Sequence, residues 1–220
     1  DVTFHKIKLN INHNTRFLSG SVETNFKALS AINTCSFDLN NSMKVDSVMA
    51  SKKKLTFSQI SNKVNINLDK SLKIGDLQNL EIFYRGSPRS SAFGSFSIST
   101  HGNAKSPVVW TLSEPYGAPD WWPCKDDPSD KIDSTEVWIT LPASFVSVSN
   151  GLQKGTIAHA DGTKTYQWKN SHPIAHYLIS IACSNYQLYQ SSFTYNGKKM
   201  PVDHYIYPES LSTAVKNQLD

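Results

Sequence analysis

The 220-residue chain is poor in the features that most sharply constrain function. Its three cysteines, Cys35, Cys124 and Cys183, are far apart and in no C-x-x-C arrangement. Neither a disulfide framework nor a zinc knuckle is therefore expected. The longest apolar run, Tyr177 to Cys183, is interrupted by Ser180 and falls far short of the ~18 residues of a membrane span. No arginine-rich stripe supports nucleic-acid binding. Lysine runs appear once, at Lys52-Lys53-Lys54, where a solvated hairpin turn between Val48 and Leu55 accounts for them. There is no G-x-S-x-G nucleophile elbow and no G-x-x-x-x-G-K phosphate loop. His172 and His176 have the interval of H-E-x-x-H, but position 173 is proline, which resists the helix that motif needs. Asp126, Asp127, Asp130 and Asp133 lack the ligand alternation and central glycine of a helix-loop-helix calcium site.

What the chain does contain is alternation of period two. Ile7-Leu9-Ile11, Val22-Thr24-Phe26-Ala28, Cys35-Phe37-Leu39, Val64-Ile66-Leu68, Leu80-Ile82-Tyr84 and Val137-Ile139-Leu141 each read as a half-buried antiparallel strand. Asp161-Gly162 and Asn196-Gly197 are hairpin signals, because both dipeptides tolerate the positive φ of tight turns. Tyr177 to Ala182 also reads as strand. An all-β antiparallel sandwich or open barrel-like arrangement follows, with Cys35 and Cys183 as small core residues. Only the end differs: Leu211, Val215 and Leu219 recur every four residues behind a predicted Ser210 cap, which is helical spacing. The chain opens directly in strand-like sequence, so any targeting peptide is expected to have been removed or never to have existed.

The segment Thr111 to Pro128 holds four of the ten prolines, two adjacent tryptophans and four of the eighteen acids. Prolines fix φ and remove donors, so such a stretch keeps one shape outside any ladder. A stiff irregular segment is a good mount for a carboxylate that meets a ligand, and Glu114 is the candidate. The alternative is a turn acid that bonds backbone N–H groups of its own loop. Trp121 and Trp122 could plug the core, stack on sugar or line an interface. If the backbone there is extended, at most one of them is expected in the core.

Ser113-Glu114-Pro115, Ala118, Trp122-Pro123-Cys124 and Asp126-Asp127-Pro128 resemble the N-terminal domain of the aminopeptidase N family of zinc exopeptidases. Flanking matches run from Leu72 to Gly86, through Tyr166-Gln167-Trp168, and from His172 to Ser180. The resemblance implies an all-β, saddle-like sandwich over residues 1–202, with 203–220 as the short helical beginning of a catalytic domain. It implies that the complete protein is a zinc-dependent aminopeptidase, with its own catalytic domain and the peptide N-terminus as partners. The β domain would cap the cleft, and Glu114 would bind the substrate α-ammonium, with Leu112, Ser113 and Pro115 lining the site. It also implies a cis Glu114–Pro115 bond. Two positions depart from the pattern, Leu112 where many relatives carry Gln and Pro119 where many carry Arg. The G-x-M-E-N segment and the H-E-x-x-H helix are absent, so the zinc ligands are expected elsewhere and this stretch alone is expected to be inactive. Likeness to bacterial members rich in lysine, asparagine and serine implies an exported protein. A catalytically inactive scaffold and a carbohydrate-binding sandwich using both tryptophans are the alternative functions.

Overall fold

The computed structural model describes residues 1–90 and 94–219. Its first strands are β1 (Val2–Asn12), β2 (Phe17–Lys27), β3 (Ile32–Asp38), β4 (Met43–Ala50), β5 (Lys53–Leu55) and β6 (Phe57–Ile60). They are followed by β7 (Lys63–Leu72), β8 (Leu77–Gly86), β9 (Ser95–His101), β10 (Ser106–Leu112), β11 (Ser134–Pro142) and β12 (Val146–Ser149). The last are β13 (Leu152–Ala158), β14 (Thr163–Asn170), β15 (Ile181–Ser184), β16 (Gln187–Tyr195) and β17 (Lys198–Ile206), before a single helix, α1 (Thr213–Leu219).

Eight strands form the main sheet in the order β13, β14, β11, β1, β2, β8, β4, β5. Its ladders are antiparallel except where β1 runs parallel to β11, from Phe4 opposite Ser134 to Asn10 opposite Thr140. One face is apolar, as the alternation requires: Ile7, Leu9, Val22, Ile82, Val137 and Ile139 are all buried. The other carries ion pairs, Lys6 to Glu136 at 3.3 Å and Lys8 to Glu81 at 3.2 Å. Partly exposed pairs of this kind contribute little, so burial of the apolar face carries the stability. A four-stranded sheet, β12, β15, β10, β9, and a three-stranded sheet, β3, β7, β6, contribute to the same buried cluster. The result is the expected β-rich, layered architecture.

The hairpin signals are confirmed. Gly162 has φ +81° between β13 and β14, and Asn196 and Gly197 have φ +47° and +72° between β16 and β17. Val48 pairs with Leu55 across the lysine turn. Cys124 and Cys183 are buried, Cys35 is half-buried, and all three are free thiols. Burial pushes the thiols of Cys35 and Cys183 up to about 12.

Three local expectations are corrected. Residues His176–Leu178 form a 3-10 turn and β15 begins only at Ile181, because Ile174 bridges to Ile132 and the Ser180 N–H is held by Asn150 Oδ1 at 2.8 Å. Ser210 closes a 3-10 turn begun by Pro208, so the capping hydroxyl is that of Ser212, which accepts the Val215 N–H at 3.3 Å. Both Trp121 and Trp122 are fully buried. The backbone at Trp121, with φ −137° and ψ −11°, leaves a 3-10 turn at Ala118–Asp120 and is not extended, so the alternation that would expose one ring does not apply. Neither ring is available as a sugar platform.

Trp122 lies edge-on to His5, with ring centroids 5.1 Å apart, and His5 Nδ1 is 2.8 Å from the Thr24 hydroxyl. Burial, reinforced by nearby His176 and opposed by Asp130, lowers the His5 pKa to about 3. The unfolded imidazole titrates near its ordinary value of about 6.5. Between these values the unfolded chain binds a proton that the folded chain refuses, so stability is complete above the upper value and falls as pH drops. Urea titrations at pH 7 and pH 5 are expected to show about 2 kcal/mol more loss in the wild type than in His5→Asn. Equal losses in the two proteins would contradict this account.

Candidate functional site

Strand β10 is central in its sheet, paired with β9 along Ser106–Leu112 and with β15 at Val109 and Trp110. It therefore delivers the following turn from a fixed direction. Thr111 is buried and its hydroxyl accepts the Ile181 N–H at 3.0 Å. Beyond it, Leu112, Glu114, Pro115 and Tyr116 are exposed, and the Glu114–Pro115 bond is cis.

The turn is tied down on several sides. The Gly117 N–H donates to the Ser113 carbonyl at 2.7 Å. Asp120 accepts the Ser95 hydroxyl at 2.7 Å and the Asn40 amide at 3.0 Å, while the Asn40 N–H donates to the Pro119 carbonyl at 2.8 Å. Farther along, Asp38 and Cys124 exchange backbone hydrogen bonds, and the Asp126 N–H reaches Asp38 Oδ2 at 3.2 Å. Asp126 also meets the buried His176 Nε2 at 2.6 Å. The acidic cluster is thus divided among internal partners, with Asp130 taking the Val2 N–H and pairing with Lys125.

Glu114 differs from these acids. Among the described residues its carboxylate takes no hydrogen bond and no ion pair, so it does not cap its own turn. Of the expected site residues, Leu112, Glu114 and Pro115 are each exposed. Ser113 does not: it is 2% exposed, and its hydroxyl accepts the Trp121 indole N–H at 2.9 Å. Its side chain supports the turn from below. Sequence reasoning passed over Tyr116, which is 67% exposed beside the acid. It also passed over the Asn40 and Ser95 anchors, which lie outside the proline-rich segment. The surface offers an unpaired carboxylate flanked by apolar and aromatic groups, chemistry suited to an organic cation.

Residues 2–178 match the model of the peptidase M1 N-terminal domain. The chain belongs to this family. It is 27% identical over 184 residues to leucine aminopeptidase 2 of Vanderwaltozyma polyspora, a match covering 80% of this chain and 27% of that protein. The enzyme of the same name from Pyricularia oryzae is 26% identical over 120 residues, covering 54% and 19%. Among solved structures, an M1 zinc metallopeptidase from Deinococcus radiodurans superposes with a TM-score of 0.79 at 22% identity, over 92% of this chain and 46% of that one. A variant of it reaches 0.81 at 20% identity, over 100% and 52%. The M1 N-terminal domain thus accounts for the fold, and the chain spans about a quarter of the curated relatives' length and about half of the solved structures'.

Those solved relatives are zinc metallopeptidases. The described residues of this chain do not fit such an ion: they contain no group of three or more His, Cys, Asp or Glu side chains able to hold a metal. Nor, among them, is any helix long and apolar enough to cross a membrane.

The turn leaves no room beneath Gly117. A Cβ added there would lie 2.4 Å from the Ser95 hydroxyl and 3.2 Å from Ser113 Cα. Gly117→Ala is expected to cost about 1–3 kcal/mol by displacing the Ser95–Asp120 contact. Thermal denaturation measures the loss, and an unchanged Tm would show that the turn is not closed as described.

Proposed function

We propose that this chain is the N-terminal domain of a zinc-dependent aminopeptidase, and that it caps the active-site cleft and supplies the Glu114 carboxylate to the α-ammonium of the peptide substrate. Residues 1–202 form the β domain in this reading, and 203–220 open the catalytic domain that holds the zinc ligands. One observation carries it: Glu114 is the acid of the rigid segment that is exposed and without a partner among the described residues, on a turn anchored by the Ser95–Asp120 and Trp121–Ser113 hydrogen bonds.

The relatives support the same chemistry. Two are named leucine aminopeptidase 2, and one Deinococcus radiodurans structure is described as bound to a Tyr-Ser-Ala substrate. An exopeptidase that acts at the amino end must distinguish a free ammonium from an amide. A carboxylate does so by accepting charge-assisted hydrogen bonds that a blocked terminus cannot offer in charged form. Leu112 and Pro115 give apolar contact beside it, and Ser113 contributes by holding Trp121 and thereby the turn. The catalytic zinc, bound elsewhere, would polarise the scissile carbonyl and activate water.

Removing Glu114 should cost the worth of a hydrogen bond to a charged group, about 1.5–3 kcal/mol. In the complete enzyme, Glu114→Ala is expected to lower kcat/KM for an aminoacyl anilide by roughly 10- to 100-fold. Thermal stability should be nearly unchanged, since among the described residues the carboxylate takes no hydrogen bond and no ion pair. An unaltered kcat/KM would remove the role assigned to this carboxylate.

A further inference from the structure

Residues 51–76 hold six lysines, no arginine and two acids, an excess equal to the formal net charge of +4 of the whole chain. The rest of the chain is balanced. Lys63 is paired with Asp38 at 2.7 Å. The other five, Lys52, Lys53, Lys54, Lys70 and Lys73, are exposed, and of these only Lys53 has an ion-pair partner among the described residues, Asp69 at 3.8 Å. The second acid, Asp76, is engaged by its own turn, where its carboxylate accepts the Lys73 N–H at 2.8 Å.

These lysines adjoin exposed aliphatic side chains. Lys52, Lys53 and Lys70 line a groove of about 870 Å³ together with Leu77. The turn that leads from β7 to Leu77 is bonded to the loop that follows β2. The Gly75 N–H donates to the Ala28 carbonyl at 2.8 Å, and the Ala28 N–H donates to the Asp76 carbonyl at 2.9 Å. Leu29, Ile74 and Leu77 are thereby gathered at one end of the molecule. They are 67%, 75% and 74% exposed, the three most exposed large aliphatic side chains among the described residues. Lys27 joins them: it is exposed, pairs in register with Leu77, and lies with its Cε 4.0 Å from where a Cβ on Gly75 would stand.

The β2–β8 ladder runs from Lys27 opposite Leu77 at this end to Leu18 opposite Gly86 at the other. Ten residues of strand separate the two ends by about 30 Å. Met43 also pairs with Gly86, and it lies close in sequence to Asn40, the residue that anchors the Glu114 turn through Asp120. The aliphatic end is therefore remote from that turn.

We infer that this end is a reversible docking face for an anionic lipid bilayer. Leu29, Ile74 and Leu77 enter the boundary between headgroups and acyl chains, and Lys27, Lys52, Lys70 and Lys73 contact acidic headgroups. Lysines alone would suit any polyanion. The aliphatic tips select a bilayer, because a soluble polyanion offers no apolar phase in which to bury them. Nucleic acid fits less well, since no aromatic side chain lines the groove to stack on bases and no arginine is present to fork onto phosphate.

Flotation of the complete protein with vesicles tests this. Vesicles of equal parts phosphatidylcholine and phosphatidylglycerol are expected to bind it roughly ten-fold or more tightly than phosphatidylcholine alone, and added salt should weaken the contact. Lys70→Gln and Lys73→Gln should each lower the affinity roughly five-fold. Ile74→Ser combined with Leu77→Ser should lower it roughly ten-fold or more. Lys44→Gln and Ile60→Ser are the controls, because both are exposed and lie near the Asn41–Asn62 contact at the opposite end. They should leave binding unchanged, and all variants should keep the wild-type Tm. Equal binding to both vesicles, or binding to neither, would overturn the inference. So would loss of binding in the lysine variants with none in the aliphatic pair, since a polyanion contact without insertion would then account for it. If the aliphatic pair instead abolishes a concentration-dependent dimer, a second copy is the occupant and the inference also fails.

Discussion

The carboxylate of Asp120 joins three stretches that are far apart in sequence. It accepts a hydrogen bond from Ser95 on β9 and another from Asn40 beyond β3, while its own backbone closes the short turn that precedes the two tryptophans. Glu114 inherits its position from this junction, because Ser113 on one side and Gly117 on the other are locked to the same group of residues. An exposed side chain can recognise a ligand with little loss of entropy only if its backbone is already immobile. Here the immobility comes from neutral and charge-assisted hydrogen bonds beneath the turn, and the Glu114 carboxylate takes none of them among the described residues.

Beneath that junction the core is aromatic and contains little that can ionise. Trp121 satisfies its indole N–H through Ser113, whereas the Trp122 indole N–H is buried without a partner among the described residues. His5, packed against Trp122, is kept neutral by its surroundings. The buried His176 is placed differently, since one ring nitrogen meets Asp126 and the other has no partner among the described residues. Polar groups left unpaired in this way cost stability. The layered sheets around them, with Ile7, Val22, Ile82 and Ile139 on the inner face, offset that cost by apolar burial.

The β-rich class was legible because alternation is a local property: every second residue of β1, β2, β8 and β11 faces the core, and the pattern survives in the sequence alone. Turn chemistry was equally local at Asp161-Gly162 and Asn196-Gly197. Errors arose where a distant partner overrode the local pattern. Tyr177 to Ala182 has the composition of a strand, yet Asn150 holds its first part outside the ladder by bonding the Leu178 carbonyl and the Ser180 N–H. Trp121 and Trp122 could not both be placed in the core without knowing that a 3-10 turn precedes them. Ser113 entered the expected site through the resemblance carried by Ser113-Glu114-Pro115, and only the Trp121 contact shows which way its hydroxyl points.

The sequence by itself determined the element types, most of the core and the rigid segment bearing Glu114, since these depend on periodicity, on proline and glycine stereochemistry, and on motifs confined to a few neighbouring residues. Tertiary structure alone decided that β1 pairs in parallel with β11, that Asn40 and Ser95 secure the turn, and that the β16–β17 hairpin joins no other strand among the described residues. The physical reason is range. Side-chain alternation is written within one strand, whereas register between strands and the burial or freedom of a particular carboxylate depend on which remote segments the folded chain brings together.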